Sequence, residues 1–180
     1  MNKIVSKEHF SENVVKLEIE APLIAKSRRA GHFVIVRVGE KGERIPLTIA
    51  GSDLEKGTIT LVVQKIGVSS TKLCALNVGD EVTDVVGPLG KATHIENFGT
   101  VVCACGGVGT APMLMLGSEL AKMGCKPTFL LGARSANDLL QLEEFKKLGD
   151  VYTTTEDGSM GEKGYVTQHS ILNAAQFDMI

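Results

Sequence analysis

The sequence predicts two domains: an antiparallel β-barrel or sandwich over residues 1–98, and an α/β unit built on a parallel sheet over residues 99–180. Three observations carry this prediction. Apolar and polar residues alternate with period two up to about Gly99, and strand-like and helix-like stretches alternate after it. The third is the run Cys103-Ala104-Cys105-Gly106-Gly107-Val108-Gly109-Thr110-Ala111-Pro112, which takes an apolar strand through a glycine turn into a helix.

In the first domain Val15, Leu17 and Ile19 alternate with Lys16, Glu18 and Glu20, as in a strand with one face buried. Residues 32–38, 58–63 and 81–86 repeat the pattern between clusters of Gly, Asp and Lys. One helix interrupts them. Ser69, Ser70 and Thr71 supply an N-cap for residues 72–76, and Asn77-Val78-Gly79-Asp80 ends the helix in turn chemistry.

In the second domain the order is strand 101–105, helix from about 111 to 122, strand 128–131, helix 137–148 and strand 151–154. That order implies right-handed crossovers and a parallel sheet, with ligands at the carboxyl ends of its strands. Three loops should open on that edge: 106–110, 132–135 and 156–159. Gly106, Gly107 and Gly109 would let bare backbone N–H groups reach a phosphate at the helix N-terminus. The spacing is G-x-G-x-x-P, and a tight turn also uses glycine for steric reasons, so the convergence of three loops, rather than the motif alone, favours a nucleotide site.

Composition removes other classes. A net charge of −2, with 4% aromatic residues and no Trp, argues against nucleic acid and against a membrane surface as partner. The N-terminus lacks the apolar stretch of a signal peptide, and no run reaches spanning length, so a cytoplasmic chain is expected. Cys74, Cys103, Cys105 and Cys125 show no C-x-x-C spacing and read as small core residues in a reducing compartment. His9, His32, His94 and His169 are dispersed and read as surface or loop residues, so no metal site is expected.

Particular residues carry a resemblance. Arg44-Ile45-Pro46-Leu47-Thr48 resembles the flavin-binding R-x-P-L-[ST] motif of the ferredoxin reductase-like flavoproteins. Gly67-Val68-Ser69-Ser70-Thr71 resembles their pyrophosphate element, Gly87-Pro88-Leu89-Gly90 their end-of-barrel signature, and the stretch from Gly106 to Pro112 their nicotinamide-nucleotide loop. With Gly132-Ala133-Arg134-Ser135 and the stretch from Thr155 to Gly161, the chain is most similar to one subgroup: small subunits of NADH-dependent reduced ferredoxin:NADP oxidoreductase, or sulfide dehydrogenase. Electron-transfer subunits of dihydroorotate dehydrogenase are near relatives of that subgroup.

The resemblance narrows the fold to a ferredoxin reductase-like barrel followed by a nucleotide-binding α/β domain. It implies FAD on Arg44, Pro46, Leu47, Thr48, Gly67, Ser69, Ser70 and Thr71. It implies NAD(P) on Gly106, Gly107, Val108, Gly109, Thr110, Pro112, Arg134, Ser135, Asp157 and Gly158. Each residue has a plainer alternative. Arg44 could be a solvated loop charge, Leu47 an alternate strand residue facing the core, and Ser69 to Thr71 no more than a cap. Arg134 suits the extra phosphate of NADP, whereas Asp138 could offer the acid an NAD site uses on its ribose; the resemblance implies NAD(H). Asp157-Gly158-Ser159 is expected to close over the nucleotide, or to be a mobile hairpin.

The implied activity is hydride transfer between NAD(H) and FAD, with the cofactors carrying the chemistry and no catalytic side chain named. Family chains continue into a cysteine-rich segment holding a [2Fe-2S] cluster, and a larger flavin/iron–sulfur subunit is the implied partner. Residues 177–180 look like the start of a further parallel strand, so the α/β domain is expected to be incomplete. A nucleotide-binding interaction module without redox chemistry is the alternative from another class.

Overall fold

The computed structural model describes residues 2–180 and divides into a first unit ending at Thr93 and a second beginning at His94. The first unit runs β1 (Asn2–His9), β2 (Val14–Glu20), α1 (Pro22–Ser27), β3 (Phe33–Arg37), β4 (Ile45–Thr48), β5 (Gly51–Asp53), β6 (Thr58–Gln64), α2 (Val68–Ala75), β7 (Glu81–Val82) and β8 (Asp84–Leu89). A five-stranded sheet has the order β5-β6-β2-β1-β7 and a three-stranded sheet the order β4-β3-β8, with antiparallel pairing throughout. The chain crosses between sheets within two short stretches, β4 into β5 and β7 into β8, so both edges are joined and the sheets close as a barrel.

Alternation explains the barrel core. Val15, Leu17 and Ile19 from β2 meet Val34 and Val36 from β3 and Ile59, Leu61 and Val63 from β6, all at 1% exposure or less. Leu73 and Cys74 close the core from α2. The first strand is barely legible in the sequence because only Ile4 of its eight residues is buried.

The second unit runs β9 (Thr100–Gly106), a 3-10 turn (Gly107–Gly109), α3 (Thr110–Lys122), β10 (Lys126–Ala133), α4 (Leu142–Lys146), β11 (Asp150–Thr155), β12 (Glu162–Lys163) and α5 (Ile171–Ala174). Its sheet is parallel, in the order β12-β11-β10-β9, and Met179 forms a parallel bridge to Val101 on the outer side of β9. The chain therefore steps away from β9 three times and then returns to its opposite side. That reversal sets the ligand crevice of an open α/β sheet at the carboxyl end of β9. Below it Phe129 and Phe145, both fully buried, meet edge to face at 4.8 Å within a core that includes Cys103, Leu120 and Leu131.

Two helices differ from expectation. The helix expected over 137–148 is a 3-10 turn (Ala136–Asp138), an extended Leu139, Gln141 in the left-handed region at φ 57°, and then α4. The double turn brings Leu139, Leu142 and Phe145 into one core and buries Leu140 as well. The helix expected to start at Lys72 starts at Val68, with Gly67 as its cap. No helix among the described residues is long and apolar enough to cross a membrane.

Candidate functional site

Each unit presents one candidate site. In the first, a cavity of about 300 Å³ is lined by Val38, Lys41, Gly42, Glu43, Val68, Ser69 and Lys72, at the N-terminus of α2. The first turn of a helix leaves N–H groups without intrahelical partners, a Cβ at Gly67 would meet nothing within 4 Å, and Lys41 and Lys72 line the cavity. This geometry fits a diphosphate. Sequence reasoning missed Lys41, Lys72 and Glu43.

The two serines take different places at the start of α2. Ser70 Oγ accepts hydrogen bonds from the Ile66 and Gly67 amides at 3.0 Å and donates to the Gly67 carbonyl, so it fastens the loop before the helix. Ser69 Oγ faces the cavity and donates to Glu43 Oε2 at 3.0 Å. Thr71 is exposed, and its amide makes the first helical bond to the Gly67 carbonyl.

Arg44 lies just before β4, exposed, with Nη2 at 3.5 Å from Asp84 Oδ2. Arg37 Nε holds the same oxygen at 2.5 Å, and this hydrogen bond keeps the Asp84 carboxyl below the usual aspartate range. Arg37 is the nearer partner of Asp84, and the Arg44 side chain is 63% exposed, so a bound anion could recruit its guanidinium. On β4 the alternation divides the motif. Pro46 and Thr48 are exposed on the outer face, whereas Leu47, half-buried, packs with Ile45 against the barrel core.

The second site is the glycine turn after β9. Gly107 has φ +56°, which favours glycine, and a Cβ at Gly107 or Gly109 would meet nothing within 4 Å. A backbone that is bare toward open space is what a phosphate needs at the N-terminus of α3. Gly106 instead lies against the Gly132 carbonyl, 3.3 Å from its ideal Cβ, and so serves the packing of neighbouring strands. Val108 is half-buried in the turn, and Pro112 stands in the first turn of α3. Thr110 departs from expectation: it is 2% exposed and its hydroxyl donates to the Gly107 carbonyl at 2.7 Å, closing the turn instead of facing a ligand.

At the carboxyl ends of β10 and β11 the loops are tied together. Ser135 Oγ donates to Asp138 Oδ2 at 2.8 Å, and Arg134 is exposed beside them. The Asp157 amide donates to the Arg134 carbonyl at 3.1 Å. Asp157 Oδ1 accepts from both the amide and the hydroxyl of Ser159, at 2.9 and 2.6 Å, which holds this carboxyl below its ordinary range. Thr155 Oγ1, fully buried, accepts from the Met160 amide and donates to the Met160 carbonyl. Gly158, at φ +77°, completes a tightly bonded turn at the carboxyl end of β11.

The remaining chemical groups are structural. Burial pushes the Cys103 thiol up to about 11 and the Cys105 thiol up to about 12, which removes their thiolates from neutral pH. His169, expected on the surface, is 6% exposed: its Nδ1 accepts from the Ile171 amide and its ring meets Tyr152 edge to face. No cluster of His, Cys, Asp or Glu able to hold a metal ion occurs among the described residues.

Comparison with known proteins agrees with this geometry. Residues 2–94 match the oxidoreductase FAD-binding domain family. The chain is 42% identical to the dihydroorotate dehydrogenase B (NAD(+)) electron transfer subunit homolog of Thermotoga maritima, covering 99% of this chain and 64% of that protein. It is 34% identical to the dihydroorotate dehydrogenase B (NAD(+)) electron transfer subunit of Shouchella clausii, covering 98% and 70%. A chain in the structure of NADH-dependent reduced ferredoxin-NADP oxidoreductase superposes with a TM-score of 0.88 at 38% identity, covering 97% of this chain and 61% of that one. The cytochrome P450 reductase of Amycolatopsis shares the fold, with a TM-score of 0.82 at 20% identity. The sequence thus spans about three fifths of the Thermotoga protein and of the ferredoxin-NADP oxidoreductase chain. By its barrel, its open glycine cradle and these matches, the chain belongs to the oxidoreductase FAD-binding domain family and has the ferredoxin reductase-like fold.

Proposed function

We infer that this chain is the flavin- and nucleotide-binding part of an electron-transfer subunit that takes electrons from NAD(H) onto FAD and delivers them to a larger partner subunit. One observation carries the reading: a single chain pairs an FAD-family barrel, with its open cradle at Gly67, with a bare glycine turn where a parallel sheet reverses direction. When bound, FAD supplies two-electron exchange with a nicotinamide and one-electron exchange with a metal centre.

The residues present fit that group. The first turn of α2, with Ser69, Lys41 and Lys72, would hold the diphosphate, and Arg44 would add a planar charged fork. Pro46 and Thr48, on the outer face of β4, would line the flavin ring and offer it a hydroxyl. Gly107 and Gly109 would admit the nucleotide diphosphate, and Asp138 would accept from a ribose hydroxyl with the carboxylate oxygen that Ser135 leaves free. A carboxylate there disfavours a 2′-phosphate and supports NAD(H) over NADP. The described residues include no group of cysteines that would hold an iron–sulfur cluster.

The partner has two candidates. The relatives from Thermotoga and Shouchella favour dihydroorotate dehydrogenase, and the superposed structure favours a ferredoxin:NADP oxidoreductase. Both readings predict the same chemistry here. The test is the visible spectrum of the chain after loading with FAD and removing the excess, followed by anaerobic NADH and then NADPH. Retained flavin bleached faster by NADH supports the reading; retained flavin that neither nucleotide bleaches, or no flavin at all, overturns it in favour of a non-redox module.

A further inference from the structure

We propose that Ser159 is a positioning residue for the nucleotide, a latch that fixes the Arg134–Asp138 turn through the Asp157 loop. The inference rests on the nucleotide reading above. The β10 and β11 carboxyl ends lie side by side, with Ala133 opposite Thr155 in parallel register. Backbone hydrogen bonds join the two loops where they leave the strands. Farther out Ser159 Oγ adds a side-chain link: it accepts the Ala136 amide at 2.8 Å and donates to Asp157 Oδ1 at 2.6 Å.

Each end of the relay is anchored. The Glu156 and Asp157 amides donate to the Ala133 and Arg134 carbonyls, both at 3.1 Å, and Asp157 Oδ1 also accepts the Ser159 amide. On the other loop Ser135 Oγ holds Asp138 Oδ2, and the Asp138 amide donates back to the Ser135 carbonyl at 3.0 Å. Ala136 begins the 3-10 turn that carries Asp138, so its amide is the point at which the turn is steered. The hydroxyl of Ser159 is suited to this place because it accepts from one loop and donates to the other at once. Alanine would do neither; threonine would do both.

The latch acts on the adenosine end of the dinucleotide, remote from the nicotinamide. Loss of such an interaction weakens binding equally in ground and transition states, raising the concentration for half-saturation without changing the limiting rate. One hydrogen bond of this kind corresponds to a change of about threefold to tenfold.

The experiment is stopped-flow reduction of the FAD-loaded full chain by varied NADH, for wild type, Ser159→Ala and Ser159→Thr, with calorimetric titration of ADP-ribose alongside. Ser159→Ala should raise the half-saturating NADH concentration and the ADP-ribose dissociation constant together by about threefold to tenfold. Its limiting reduction rate should stay that of wild type, and Ser159→Thr should restore affinity. Unchanged affinity in Ser159→Ala, or a lower limiting rate with unchanged affinity, overturns the latch alone. A wild type that binds neither NADH nor ADP-ribose overturns the nucleotide reading and the latch with it. A far-ultraviolet circular dichroism spectrum and thermal melt equal to those of wild type separate either result from misfolding.

Discussion

Ser69 hands its hydroxyl hydrogen to Glu43, 3.0 Å away, at the cavity that both residues line beside the N-terminus of α2. A carboxylate thus lines the same cavity as Lys41 and Lys72. On the proposed function, an incoming flavin diphosphate would have to displace it. Glu43→Gln removes the like-charge repulsion and is expected to tighten FAD binding severalfold, measured by quenching of flavin fluorescence, whereas Ser69→Ala should weaken it by about threefold to tenfold.

The glycine turn separates a structural from a ligand-binding role. Gly109 has φ −64°, which any residue adopts, and open space beside it. Gly109→Ala should therefore leave the melting temperature unchanged or slightly raised. Gly109→Val, which fills the space a phosphate would use, should cut NADH affinity about tenfold or more with little change in stability, as read by paired thermal melts and titrations.

Gly117 has the opposite role. A Cβ there would lie 2.4 Å from the Phe129 ring, which is itself fully buried against Phe145. Gly117→Ala should cost about 1–3 kcal/mol in urea unfolding, because the overpacked ring has no room to retreat.

Acid should weaken the fold through carboxylates held below their ordinary values. Arg37 does this to Asp84, the Thr100 hydroxyl and amide to Asp178, and the Ser170 hydroxyl to Glu162. Each folded-state value lies below the unfolded one, so each contribution is fully present above about pH 5 and is lost as pH falls through the folded value. Asp84→Asn should lower stability at neutral pH and flatten the loss below about pH 4, as seen in urea melts run from pH 7 to pH 2.5.

The parts of the fold that depend on local periodicity were legible. Val15, Leu17 and Ile19 announce their strand because one face is buried, and the run from Cys103 to Pro112 announces strand, turn and helix because glycine interrupts an apolar stretch. What escaped depends on distant partners. His169 carries no local sign of burial; Tyr152 and Glu162 create its site. Ser159 looks like any loop serine until the neighbouring strand brings the Ala136 amide to it. The expected helix over 137–148 fails because Gln141 takes a left-handed conformation, which burial of Leu140 favours and helical propensity does not foresee. Leu47 belonged to a motif and to an alternating strand at once, and in the structure it follows the strand.

On the proposed function, this chain accepts hydride from NADH onto bound FAD. The most direct test is anaerobic stopped-flow reduction of the FAD-loaded full chain by NADH and by NADH carrying deuterium at the transferred position of nicotinamide C4. Loss of flavin absorbance that is clearly slower with the deuterated nucleotide is the expected result. Flavin that stays bound and oxidised with either nucleotide would contradict it.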